Sequence, residues 1–360
     1  MLHPKKARFG ARSYISIIAL LVFALLWCSG EFAIAAAQQA DIGILLPVPT
    51  SGVTQGDVNY ARSVSKRLIR MLNSIGFSAD TFEEASLANV VRLESTPTGP
   101  YRLLILPLNP ELSAETASLL KGFVARGGKL LVTYGLADSV APLLNLRKKK
   151  WLREEAPGQF AAIRLNAPEI QGMPKSVRQA SWNITVAEPT SPQTQIIGYW
   201  YNATGESTGF PALFVSESGA FFSHVFLPDD IQTKTRLLAA LLAYLVPEFQ
   251  GTIAKRVVDA ITTVGHTRNL EALTQFVRHS SVPEATAALK LGQDLLKQAR
   301  AEYARKAYHT AIATGYGSRA AFSEAYFLSH PSTAMEGRAV WNHSGLGAYP
   351  GDWGRSAKEL

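Results

Sequence analysis

Tyr101-Arg102-Leu103-Leu104-Ile105-Leu106-Pro107 and, a helix's length later, Phe123-Val124-Ala125-Arg126-Gly127-Gly128-Lys129-Leu130-Leu131-Val132-Thr133 carry a strand, a helix and a second strand. Tyr101 to Leu106 is a short apolar run stopped by proline, the mark of a strand buried on both faces. Ser113 can cap the helix that follows, with Glu115 in its first turn. Leu119, Leu120, Phe123 and Val124 form its apolar stripe, Gly127-Gly128 ends it, and Lys129 to Thr133 is the next strand.

The same pattern extends upstream. Ile42-Gly43-Ile44-Leu45-Leu46 is a buried strand closed by Pro47 and Pro49. Val58, Ala61, Val64, Leu68, Leu72 and Ile75 recur at three and four, so they share one helical face, and Gly76 supplies the stop. The alternation of strand and helix predicts an α/β fold with a parallel sheet covered by helices.

Downstream, Phe160 to Leu165, Ile184 to Val186, Ile196 to Tyr201, Ala212 to Ser216 and Ala220 to Phe226 read as short strands. They extend the same sheet or add a β-rich flank. Tyr199, Trp200 and Tyr201 read as strand core. Thr233 to Leu245 is an apolar helix ending at Pro247, and residues 251–328 read as helical throughout. Pro283 suits a first turn, and a stripe from Leu289 to Ala307 brings His309 near the end of that helix.

The N-terminus reads as an export signal. Lys5, Lys6, Arg8 and Arg12 precede an apolar run from Ile15 to Trp27, and Ala35-Ala36-Ala37 offers cleavage before Gln38. The run is shorter than the about 20 residues of a membrane span, so residues 1–37 are expected to be removed rather than kept as an anchor. A secreted or periplasmic protein follows, touching the membrane only through that segment. Cys28, the only cysteine, would leave with the signal, which excludes a disulfide, a thiol nucleophile and a thiolate metal site.

The net charge is +8, of which the signal supplies three. Arg147-Lys148-Lys149-Lys150 is the one dense basic run and reads as a solvated turn. No basic face with interleaved aromatics appears, so no nucleic-acid partner is expected. Of the seven histidines, no two stand at the i, i+4 spacing of a helical zinc pair, and no Gly-rich turn ends in Lys-Ser or Lys-Thr. No metal or cofactor is expected. His224 falls in a strand-like run and reads as a satisfied or edge histidine. Asn183-Ile184-Thr185, Asn202-Ala203-Thr204 and Asn342-His343-Ser344 match the glycosylation pattern without implying its use.

Leu103 to Pro107 together with Phe123 to Leu131 resembles the class I glutamine-amidotransferase-like fold, over about residues 41–245. The same flavodoxin-like architecture serves without activity as the trimerisation domain of some β-galactosidases. In active members a cysteine stands on the tight turn after a strand. The matching place here is Thr133-Tyr134-Gly135, and Tyr134 removes that chemistry. The domain is therefore expected to bind a ligand or to self-associate into a homo-oligomer. By fold analogy its ligand site falls near Pro47, Leu108, Asn109 and Tyr134.

Glu336-Gly337-Arg338-Ala339-Val340-Trp341-Asn342-His343, with Tyr349-Pro350-Gly351-Asp352-Trp353, resembles the opening βα unit of glycosyl-hydrolase-like family 10 proteins. That resemblance implies an exported protein with a (β/α)8 barrel that hydrolyses polysaccharide. Residues 251–334 would then be a helical connector, and 335–360 a truncated start of the barrel. Trp341, Asn342 and His343 would offer a sugar an aromatic face and hydrogen bonds. Asp352 reads as a helix cap, so no catalytic residue is assigned. Both barrel carboxylates would lie beyond Leu360, and the chain alone is expected to be inactive.

Overall fold

The computed structural model describes residues 41–92, 101–260 and 263–330. The signal expected over 1–37 and the barrel unit over 335–360, with Trp341, Asn342 and His343, lie outside the described residues. In chain order the strands are β1 (Ile42–Leu46), β2 (Ala79–Glu83), β3 (Leu103–Leu106), β4 (Lys129–Thr133), β5 (Leu146–Arg153), β6 (Phe160–Leu165), β7 (Ser176–Ser181), β8 (Asn183–Pro189), β9 (Gln195–Tyr201), β10 (Ser207–Ser216) and β11 (Gly219–Phe222). The helices are α1 (Gln55–Ser74), α2 (Glu84–Arg92), α3 (Ala114–Ala125), α4 (Ile231–Leu245), α5 (Gln250–Ala260), α6 (Leu270–Ser280), α7 (Pro283–Ala304) and α8 (Tyr308–Leu328).

One sheet runs β2-β1-β3-β4-β11-β10-β9-β6-β7. Its first five strands are parallel and the other four antiparallel. The parallel half has the flavodoxin-like strand order, with β11 as its fifth member.

Side chains on these strands alternate between two cores. Ile42, Ile44, Leu103, Ile105, Leu131 and Phe222 pack on one face, under α1, α4 and α5. Leu45, Leu104, Leu106, Leu130, Val132 and Phe221 pack on the other with Leu87, Leu120 and Phe123 from α2 and α3. Double coverage is why these segments read as unbroken apolar runs. Each such side chain contributes about 1.5–3 kcal/mol on burial.

The helix ends follow the sequence signals. Thr54 and Asp57 form a capping box at α1: Thr54 Oγ1 accepts from Asp57 N–H (3.2 Å), and Asp57 Oδ2 accepts from Thr54 N–H (2.8 Å). Gly76 follows α1 at φ +95°, a conformation that favours glycine. Ser113 Oγ accepts from Thr116 N–H at 3.1 Å. Pro283 opens α7.

Several expectations are corrected. The basic run is a strand and not a turn: β5 pairs antiparallel with β8, and Glu188 on β8 holds both Arg147 and Lys149. β2 and β7 escape the apolar-run reading because they are the two edges of the sheet. The strand expected to reach Phe226 ends at Phe222, short of His224. The helical stretch breaks at Ser281 and again at Lys306, both at positive φ, so His309 begins α8 and does not end α7. Trp200 is fully buried and donates from Nε1 to Ser223 Oγ (2.8 Å), whereas Tyr199 is exposed. Ile253, Ala254 and Val257 of α5 and Ala311 and Ile312 of α8 join the core of the sheet. Parts of α6, α7 and α8 build a further small core around Phe322. Among the described residues no helix is long and apolar enough to cross a membrane.

Candidate functional site

A pocket of about 770 Å³ opens beyond the carboxyl ends of the parallel strands. Gly52 and Asp57 reach it after β1, Leu108 and Pro110 after β3, Tyr134 and Gly135 after β4, and His224 after β11. Open α/β sheets place ligands at this end. The small β5–β8 sheet forms the opposite wall with Lys148, Lys150, Trp151, Asn183 and Thr185, and Trp182 just precedes β8.

Tyr134 occupies the elbow. Its backbone is left-handed (φ 55°), and its N–H donates to the Phe222 carbonyl at 2.8 Å. A non-glycine residue in that region is held there by its surroundings. Thr133 Oγ1 donates to the Pro107 carbonyl (2.6 Å), which ties the loop after β3 to the end of β4. Gly135 sits where a Cβ would meet Asn109 N at 2.5 Å and Pro110 N at 2.8 Å. Both obstacles are backbone, so they cannot rotate away. Gly135→Ala is expected to destabilise the chain by about 2 kcal/mol in urea denaturation. An unchanged midpoint would mean that the two loops separate freely.

The hydroxyl of Tyr134 accepts from Trp151 Nε1–H at 2.7 Å. Burial raises the phenol pKa above its ordinary value, with the Trp151 hydrogen bond opposing. The phenol keeps its proton and can donate it to a ligand. The Tyr134 ring lies against the His224 imidazole, centroids 5.1 Å apart. His224 is 5% exposed, and burial pulls its pKa from 6.5 down to about 4. Its Nδ1 lies 3.1 Å from the Val225 carbonyl and 3.2 Å from Gln179 Nε2. A neutral ring that donates from Nδ1 to Val225 keeps a lone pair on Nε2.

Trp151 and Trp182 meet edge to face at 5.8 Å and are 52% and 54% exposed. Tyr60 adds a third exposed ring. Asn183 is 2% exposed, and its Oδ1 is buried without a hydrogen-bond partner. Such an acceptor is costly unless something donates to it. Lys148 is paired with Asp138 at 3.1 Å.

Of the residues expected near this site, Tyr134 and Leu108 line it. Asn109 is fully buried beside it, with an unpartnered Nδ2, and Pro47 is buried outside the lining. His224, read from sequence as a satisfied histidine, is a pocket wall. Trp151, Trp182 and Asn183 were not anticipated. The available signal was the placing of Trp151 directly after the basic run Arg147 to Lys150 and of Trp182 between Ser181 and Asn183. Burial of Asn183 removes it as a glycosylation acceptor. Asn202 is engaged in its own turn, with Oδ1 accepting from Thr204 and Glu206 N–H groups.

No protein-family model matches this chain, and no curated protein matches it. Solved structures do. A β-galactosidase from Rahnella sp. R3 is similar over 57% of this chain, at 14% identity and a TM-score of 0.41, and 31% of that enzyme is covered. A putative ThuA-like protein from Bacteroides uniformis is similar over 60% of this chain and 96% of its own, at 11% identity and a TM-score of 0.44. An α-L-fucosidase from Paenibacillus thiaminolyticus is similar over 63% of this chain and 36% of its own, at 19% identity and a TM-score of 0.43. The chain thus spans less than a third of the length of the β-galactosidase. The residues that resemble a family 10 barrel fall outside the described part.

Proposed function

We propose that residues 41–245 form a non-catalytic saccharide-binding module of an exported, glycosyl-hydrolase-like protein. The observation that carries this reading is the pairing of exposed indole rings with neutral polar atoms that have bonding capacity left. Trp151 and Trp182 offer faces and edges on which the C–H surface of a sugar ring packs. Tyr134 Oη can donate, and Asn183 Oδ1 and His224 Nε2 can accept. A sugar hydroxyl does both.

The charge balance favours a neutral ligand. Asp138 offsets Lys148, and the exposed Lys150 stands across the pocket lining from Asp57. Hydrolysis would require two carboxyl groups across the scissile bond. Asp57 is the only carboxylate among the described lining residues, and it is held by Thr54 in the capping box. The module therefore retains a saccharide without cleaving it. Cleavage would fall to a barrel of the kind that the stretch from Glu336 to Trp353 resembles. Export is supported by the basic and apolar N-terminal run.

Titration of the intrinsic tryptophan fluorescence with neutral β-linked gluco-, galacto- and manno-oligosaccharides tests the reading. A saturable change is expected with at least one series. Trp182→Ala, at an exposed position, should weaken that binding by about tenfold or more while leaving the fold intact. No saturable change with any series, or equal affinity in the variant, would contradict it.

A further inference from the structure

A second cavity, of about 520 Å³, lies where α1, α4, α5 and α8 meet. It shares no lining residue with the pocket above. Five arginines converge on it: Arg67 and Arg70 from α1, Arg236 from α4, Arg256 from α5 and Arg319 from α8. Its lining contains no Asp or Glu, and none of the five pairs with a carboxylate among the described residues.

Three of the guanidinium groups are each positioned by one bond to a backbone carbonyl. Arg67 donates to Phe226 O (2.6 Å), Arg236 to Gly172 O (2.7 Å) and Arg256 to Ser74 O (3.0 Å). Each guanidinium carries five N–H donors, so most remain available. Arg236 Cζ lies over the Tyr316 ring at 4.7 Å from its centroid, and this contact together with the bond to Gly172 O limits the freedom its fork has left to lose. The first turn of α4 adds Ile231 and Gln232, and the cap residue Asp230 makes no side-chain bond to that turn.

Five like charges facing one cavity repel one another unless an anion stands between them. A planar guanidinium fork matches the paired oxygens of a phosphate, sulfate or carboxylate. Two forks per group would engage two such groups at once, and the volume suits a ligand of about disaccharide or nucleotide size. We propose that this cavity is a binding site for a small molecule bearing at least two oxyanion groups.

The test uses the full chain with inorganic pyrophosphate and citrate, followed by calorimetric titration and by thermal unfolding. Sodium chloride at matched ionic strength serves as the reference. Saturable binding of either polyanion is expected, with a rise in Tm beyond that given by chloride. Tighter binding of pyrophosphate would identify a phosphorylated ligand, and equal or tighter binding of citrate a polycarboxylate. The triple variant R70Q/R256Q/R319Q, altered at three exposed positions, should weaken binding by at least about tenfold. If its circular dichroism departs from that of the parent chain, Arg319→Gln alone is the variant to titrate, with a smaller loss in the same direction. Stabilisation no greater than chloride gives, or undiminished affinity in a folded variant, would overturn the proposal.

Discussion

Asp229→Ala is expected to destabilise the fold by about 3–5 kcal/mol, because it leaves a buried cation without its counter-charge. The cation is Lys234, which is 0% exposed near the start of α4. Its Nζ donates to Asp229 Oδ1 (2.8 Å), to the Asp229 carbonyl (2.6 Å) and to the Leu227 carbonyl (3.2 Å). Burial pushes the Lys234 pKa below 10.5 even with Asp229 raising it. The unfolded chain therefore holds more protons than the folded one in the window below pH 10.5, and stability should rise with pH through that window. Without Asp229 the window widens towards neutral pH. The double variant D229A/K234M, which removes both charges, should recover much of the loss. Urea denaturation of the three chains measures this. A loss below about 1 kcal/mol in the single variant would show that the two carbonyls alone satisfy the ammonium.

Acid should unfold this chain through His224. Its pKa is about 4 in the fold against an ordinary 6.5, so between those values the unfolded chain binds a proton that the folded chain refuses. Stability falls as the pH drops from 6.5 to about 4, by about 3 kcal/mol in total, and this group contributes no slope above 6.5. His224→Gln removes the titrating ring. The difference in unfolding free energy between the two chains, followed from pH 7 to pH 4, isolates the effect from that of the carboxylates. A difference that does not change with pH would mean that His224 takes up its proton in the fold, through water reaching the pocket.

The parallel strands and their helices were legible because burial on both faces leaves only apolar residues, as at Leu103 to Leu106. The elbow was legible too, as a tyrosine between a strand and a glycine where the resembling fold puts its nucleophile. Edge strands were not legible. β2 packs only partly and reads Ala-Asp-Thr-Phe-Glu. β5 was hidden by its charges, since pairing with Glu188 across β8 lets a basic segment lie in a sheet. The pocket is the least legible feature. Trp151 and Asn183 stand on neighbouring strands of a two-stranded sheet that the sequence does not announce. Only the tertiary fold brings that sheet over Tyr134, and Trp151 then bonds its hydroxyl. The arginine cavity is hidden for the same reason, with its charges dispersed from residue 67 to residue 319 over four helices.

A crystal structure of the chain grown with the oligosaccharide that binds most tightly decides whether residues 41–245 hold a saccharide in this pocket. A sugar ring packed on Trp151 and Trp182 is expected, with hydroxyl groups within about 3 Å of Asn183 Oδ1 and Tyr134 Oη. A saccharide bound elsewhere on the chain, or a pocket that stays empty at saturating concentration, would contradict it.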